Sequence, residues 1–216
     1  MASAIRLRSA VALLGRFPAL AGVDLDVQAG EVVLVQGPNG AGKTSLLRAC
    51  AGLLPVVEGE AVVLGHDLRR DRRAIRRRVG LLGHAGFLYD DLTVADNVRF
   101  AVRAARGDVA RADEALALLG LDGRLRDVAV GRLSAGQRRR TALAAVVARD
   151  PELWLLDEPH AGLDADAREL VDDLLRSAAA HGATVVLASH EHIDIADRVV
   201  RVVGGHVLAE EAVGVA

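Results

Sequence analysis

The strongest constraint on this chain is an eight-residue run, Gly37-Pro38-Asn39-Gly40-Ala41-Gly42-Lys43-Thr44, which fits G-x-x-x-x-G-K-[ST]. It directly follows Glu31-Val32-Val33-Leu34-Val35, an apolar run that reads as a buried strand. It opens Thr44 to Leu53, which has helical spacing. Strand, glycine-rich turn and helix in that order make a phosphate cradle. Glycines let backbone N–H groups converge on phosphate oxygens, and the helix start adds partial positive charge. The residues from Gly37 to Gly42, with Ser45 beyond them, are therefore candidate phosphate-binding positions. Lys43 is placed to reach the β- and γ-phosphates and Thr44 to offer its hydroxyl to Mg²⁺. Lys43 is also the only lysine in the chain, the other 26 basic residues being arginine. A compact ammonium fits such a cradle where a planar guanidinium does not.

With 216 residues, 51% of them hydrophobic, the chain reads as one globular domain with a sizeable core. A net charge of −2 offers no bulk field for nucleic acid or an anionic membrane surface, so no nucleic-acid partner is expected. The single cysteine, Cys50, excludes an internal disulfide framework and a Cys-rich zinc site and points to the cytoplasm. Arg6 and Arg8 precede the apolar run Val11 to Leu14 as in a signal peptide, but Arg16 and Pro18 cut that run short. The longest later stretch without Asp, Glu, Lys or Arg is Ser177 to His190. It falls below the roughly 18 residues needed to span a bilayer.

Strand and helix alternate through the first third: Gly22 to Val27, Glu31 to Val35, the helix Thr44 to Leu53, then Glu60 to Leu64. Val94 to Ala105, Val109 to Leu119 and Gly136 to Ala148 all read as helices and suggest an inserted helical lobe. Short apolar strands return at Leu153 to Leu156 and Thr184 to Ala188. Between them lies a helix that Asp164 caps and that carries an apolar stripe from Ala167 to Ala178. Val199 to Val203 and His206 to Leu208 close the chain around Gly204-Gly205. Arg69 to Arg78, with seven arginines, reads as a solvated helix, Trp154 as core and Cys50 as a buried small hydrophobe. His190-Glu191-His192 lacks a third ligand and is not read as a metal site.

Asp157 and Glu158 end the strand at Leu156. Downstream of a phosphate loop, Asp157 is the candidate for holding Mg²⁺ and Glu158 the candidate base for the attacking water. Leu133-Ser134-Ala135-Gly136-Gln137 opens the helix that runs through Arg138, Arg139 and Arg140. Serine and glycine at a helix start make a second anion site.

With this run in place, the chain from about Ile5 to Leu208 resembles an ATP-binding subunit of the ABC transporter family, whose signature LSGGQ appears here with Ala135 at its third position. The resemblance covers, in order, the phosphate loop, a Q-loop region, the signature, the Asp157-Glu158 pair, a D-loop ending in Asp164, and His190. It implies an α/β fold: an ABC-type P-loop NTPase domain with a RecA-like core lobe (1–78 and 152–216), an antiparallel β edge and an inserted helical lobe (79–151). It further implies a head-to-tail homodimer in which Ser134, Ala135, Gly136 and Gln137 of one copy cover ATP held by Lys43 and Thr44 of the other. His190 would meet the γ-phosphate and Asp164 the dimer interface. The expected cofactors are ATP and Mg²⁺. The expected partner is an integral membrane permease, through which alone the subunit sits on the inner face of the cell membrane. Non-transport ABC proteins usually carry duplicated ATPase domains, coiled-coil arms or basic inserts, for which 216 residues leave no room.

Two positions depart from the family pattern. The Q-loop glutamine is expected after Gly80-Leu81-Leu82-Gly83, where this chain has His84. The adenine-stacking aromatic is expected near Leu14, with Phe17 the nearest alternative. His84 counts as a catalytic candidate whose imidazole, unlike glutamine, titrates near neutrality. Leu82-Gly83-His84 with Gly86, Leu92-Thr93 and Asn97 to Phe100 is similar to the ATPases of cytochrome c maturation haem exporters. A generic drug, lipid or peptide exporter is the alternative. Phe87, Leu88 and Tyr89 either face the permease or enter the core.

Overall fold

The computed structural model describes residues 3–83, 87–191 and 193–212. β1 (Ser3–Leu14) and β2 (Phe17–Gln28) form a long hairpin, followed by β3 (Val32–Gln36), α1 (Lys43–Cys50), β4 (Val56–Val63), β5 (His66–Asp67), the single turn α2 (Leu68–Asp71) and β6 (Val79–Leu82). Three helices come next, α3 (Val94–Ala105), α4 (Arg111–Leu118) and α5 (Ala135–Val147). The chain then alternates through β7 (Leu153–Asp157), α6 (Ala165–Ala180) and β8 (Thr184–Ala188), and ends in β9 (Arg198–Val203) and β10 (His206–Ala212).

Two sheets result. One is antiparallel, in the order β2-β1-β4-β5; the other has the order β10-β9-β3-β8-β7-β6, parallel except for β10. The strands of the parallel sheet are apolar on both faces because both faces are covered. Val33, Val35, Leu153, Leu155, Val186 and Ala188 face a core shared with α1 and the antiparallel sheet. Leu34, Trp154, Leu156, Val185 and Leu187 face a second core shared with α3, α4, α5 and α6. Leu46 and Leu47 of α1 are fully buried in the first core, each contributing about 1.5–3 kcal/mol, and so pin the glycine-rich turn that precedes them to the sheet. Trp154 lies in the second core with its indole N–H donating to the Pro151 carbonyl at 2.9 Å. Cys50 is buried, which pushes its thiol up to about 12.

Three expectations are corrected here. Arg69 to Arg78 is not one solvated helix. Only α2 is helical; beyond it the chain runs in turns, with Ile75 fully buried and Arg78 paired with Glu152 at 2.6 Å. Val79 to Leu82, assigned above to the helical lobe, is the edge strand of the parallel sheet, pairing with β7 from Val79↔Leu153 to Leu82↔Leu156. The N-terminal segment, given no strand above, is the twelve-residue β1. Its register shifts between Leu7 and Ala10 and again before Val11 and Leu13, and Ser9 has φ 45°, so its side chains do not alternate strictly.

Candidate functional site

The crevice at the carboxyl ends of parallel strands is where ligands bind in open α/β sheets. The turn after β3, Asp157 and Glu158 at the end of β7, and Ser189 and His190 after β8 all meet at that edge. Asp157, Glu158 and His190 border a cleft of about 740 Å³ whose floor is the phosphate loop from Asn39 to Ser45.

Glycine is required in the loop by contact and by conformation. A Cβ at Gly37 would lie 2.0 Å from the Val202 carbonyl oxygen, and Gly42 has φ 111° with the Ala19 oxygen 2.9 Å from its Cβ position. The Gly204-Gly205 turn supports the loop, the Gly205 N–H donating to the Ala41 carbonyl at 2.8 Å. Lys43 is buried, and its ammonium donates to the Gly37 and Pro38 carbonyls at 2.7 and 3.2 Å. Thr44 donates its hydroxyl proton to Asp157 Oδ2 at 2.7 Å, which brings the phosphate loop and the strand-end carboxylate together across the sheet. Both present hard oxygen donors, a set that suits Mg²⁺.

Glu158 has φ 51°, a left-handed conformation that costs a non-glycine residue about 1–3 kcal/mol. That turn aims its carboxylate along the cleft. Oε2 accepts from the Ser189 hydroxyl at 3.1 Å, Oε1 lies 3.0 Å from His190 Nδ1, and the Glu158 N–H donates to the Ala188 carbonyl at 2.7 Å. Glu158 keeps 20% of its side chain exposed and His190 67%, so the carboxylate is held from behind and open in front. The hydrogen bond to Glu158, and then its charge, raise the His190 imidazole above its ordinary 6.5. With the folded value raised, the pairing is complete below the unfolded value and is lost as pH rises through the folded one. An NMR titration in Mg²⁺-free buffer is expected to give a His190 midpoint above the ordinary value that falls toward it in Glu158→Gln. A midpoint that does not respond to Glu158→Gln would dissolve the pair.

Phe17 stands at the cleft rim, 80% exposed, paired across the hairpin with Leu14. Ser134 caps α5 with a reciprocal box: its hydroxyl accepts from the Gln137 N–H at 3.2 Å and its own N–H donates to Gln137 Oε1 at 3.0 Å. Ser134 and Ala135 are exposed, while Gly136 packs on Gly162, whose oxygen would lie 2.8 Å from a Cβ at 136. None of Ser134, Ala135, Gly136 and Gln137 borders the phosphate-loop cleft of the same chain. His84 and His192 lie outside the described residues. Asp164 caps α6 through the Ala167 N–H at 2.9 Å.

Three residues at the site were not singled out from the sequence. Ser189 is a common residue type in no motif. His160 is buried two residues after Glu158 and pairs with Asp172 of α6 at 2.9 Å. Arg139 is buried against the Asp157-Glu158 turn. Of these, only the histidine, in a turn between Pro159 and Ala161, stood out enough to have been asked about.

The family model described as ABC transporter matches residues 20–161. The chain belongs to the ABC transporter family. As an ABC transporter ATP-binding subunit, it is 40% identical over 176 residues to the cytochrome c biogenesis ATP-binding export protein CcmA of Methylococcus capsulatus, covering 81% of this chain and 84% of that one. It is 41% identical over 215 residues to the daunorubicin resistance ATP-binding protein DrrA3 of Streptomyces coeruleorubidus, covering 96% of this chain and 68% of that one. The dimeric post-hydrolysis structure of the ATP-binding cassette MJ0796 with ADP and Pi matches at TM-score 0.89 and 28% identity, over 98% of this chain and 100% of that one. The ABC-type α/β fold expected from the sequence is therefore the one observed. Among the described residues, no helix of this subunit is long and apolar enough to cross a membrane.

Proposed function

We propose that this ABC subunit hydrolyses ATP with Mg²⁺ in a head-to-tail homodimer and so powers a separate membrane permease that exports haem for cytochrome c biogenesis. The observation that carries the chemistry is the Glu158 carboxylate, fixed by Ser189 and His190 at the mouth of the cleft that Lys43 and Thr44 floor. The backbone of residues 37–42 cradles the phosphates, Lys43 draws the β- and γ-phosphate charge, and Phe17 covers the base. Glu158 orients the attacking water and takes its proton. Thr44 and Asp157 would hold Mg²⁺, which supplies charge neutralisation at the phosphate oxygens. Ser134 and Gly136 complete the neighbour's site, a role supported by the exposure of Ser134 and by the absence of both from their own chain's cleft. His84 takes the Q-loop glutamine's place in the sequence and is assigned a catalytic role with Glu158 and His190.

The permease side of the reading is supported by an exposed apolar patch. Phe87 and Tyr89 face outward, 64% and 54% exposed, while Leu88 packs on the second core. Tyr89 meets Phe100 edge to face at 5.2 Å along a groove of about 540 Å³ that also takes in Leu53 and Leu81. Aromatics in such a patch are typical anchors for a partner. The export substrate rests on the similarity to CcmA proteins, and the match to DrrA3 over nearly the whole chain favours drug efflux as the second reading. Chromosomal Glu158→Gln separates the two. Loss of haem-stained c-type cytochromes with unchanged daunorubicin resistance is the expected result, and the reverse pattern supports drug efflux instead.

A further inference from the structure

Arg139 lies in α5, five residues beyond Ser134, and is only 7% exposed. Among the described residues, its guanidinium donates only to main-chain carbonyls, drawn from two places. Nη1 donates to the Gly83 carbonyl at 3.0 Å, just beyond β6. Nε donates to the Pro159 carbonyl at 3.4 Å, and Nη2 donates to the carbonyls of both Asp157 and Glu158. The three consecutive carbonyls around Glu158 thus converge on one planar fork.

That arrangement has a cost which points to its use. A buried charge costs several kcal/mol unless its donors are all met, and packing alone is served as well by an apolar residue of similar volume. Burial does push the Arg139 guanidinium down from its ordinary value, while the Asp157 and Glu158 charges pull it back up. What the guanidinium does and an apolar residue cannot is hold three peptide units at fixed angles. Glu158, in the middle of them, has φ 51°, a conformation that persists only where its surroundings enforce it. The turn at Glu158 is what brings its carboxylate to Ser189 and His190. Lysine at 139 would keep the charge and lose the fork.

We propose that Arg139 is a positioning residue that sets the orientation of Glu158 and ties it to α5, the helix whose cap bears Ser134. Ser134 and Arg139 are about 7.5 Å apart along one rigid helix. A subunit whose Ser134 engages its neighbour's nucleotide therefore registers that engagement at its own Glu158, through the Asp157-Glu158-Pro159 carbonyls. The function follows only if Glu158 is the base proposed above; the placement of the carboxylate does not depend on it.

The test compares Arg139→Gln with the parent dimer in three measurements. Arg139→Gln is expected to bind ATP within about twofold of the parent and to lose about 10- to 100-fold in kcat, the size of loss a misplaced catalytic group produces. In Mg²⁺- and nucleotide-free buffer, its His190 NMR titration midpoint is expected to fall toward the ordinary imidazole value, because the carboxylate that raises it has moved. A purely packing role would lower the melting temperature and leave that midpoint in place. A parental kcat together with a parental midpoint overturns the proposal. If Arg139→Gln does not fold, Arg139→Lys decides by the same readouts, with the same split expected and the same outcome fatal. Failure of the base reading is seen separately, as parental hydrolysis in Glu158→Gln while Arg139→Gln still shifts the His190 midpoint.

Discussion

Replacing Glu158 with glutamine is expected to lower ATP hydrolysis by about 10²- to 10⁴-fold, the loss typical when a general base is removed. The amide keeps the carboxylate's size and can still accept from the Ser189 hydroxyl, so the turn at Glu158 and the pairing of β7 with β8 should survive. Lys43, Thr44 and Asp157 are untouched, and ATP binding should stay near the parent value. Hydrolysis is what opens the expected dimer, so the variant should accumulate as a long-lived dimer with ATP and Mg²⁺. Size-exclusion chromatography with and without nucleotide reads the dimer, and phosphate release reads the rate. Turnover at the parent rate would remove Glu158 from the chemistry.

The second large effect comes from the other end of the sandwich. Ser134→Arg is expected to abolish hydrolysis while leaving one subunit's ATP affinity nearly intact, because Ser134 lies outside its own chain's cleft. Losing the α5 cap costs about 1 kcal/mol, too little to unfold the domain. Lys43→Ala is expected to be inactive for the opposite reason, since its own phosphate loop is crippled. In a mixed dimer one composite site carries both lesions and the other neither. An equal mixture should therefore recover up to about a quarter of parent activity if subunits exchange at random. No recovery in samples where mixed dimers are demonstrated would exclude the shared site.

Much of this site could be read from contiguous residues. The phosphate loop declares itself through a buried strand, glycines at Gly37 and Gly42 that steric contacts now explain, and a lone lysine. The Asp157-Glu158 pair was legible from the end of an apolar strand together with its place downstream of the phosphate loop. Ser134 and Asp164 marked helix starts by residue type, and both cap as expected.

What one stretch of chain cannot carry is adjacency. Glu158 meets Ser189 and His190, some thirty residues away, because β7 and β8 are neighbours in the sheet, and period-two alternation holds no information on strand order. The bulged β1 and the four-residue β6 escaped for a related reason: their membership of a sheet depends on partners, not on an internal repeat. Phe87, Leu88 and Tyr89 are three consecutive large side chains that the sequence treats alike, and only the middle one packs on the second core. Arg139 stands in a run of three arginines, Arg138 to Arg140, and helical geometry turns each about 100° from the next. The sequence by itself determined which residues are candidates to bind phosphate, hold a cation and take a proton, since those capacities belong to side chains and short turns. The tertiary structure decided which of them meet, because that depends on the order of strands in the sheet and on the face α5 presents to it.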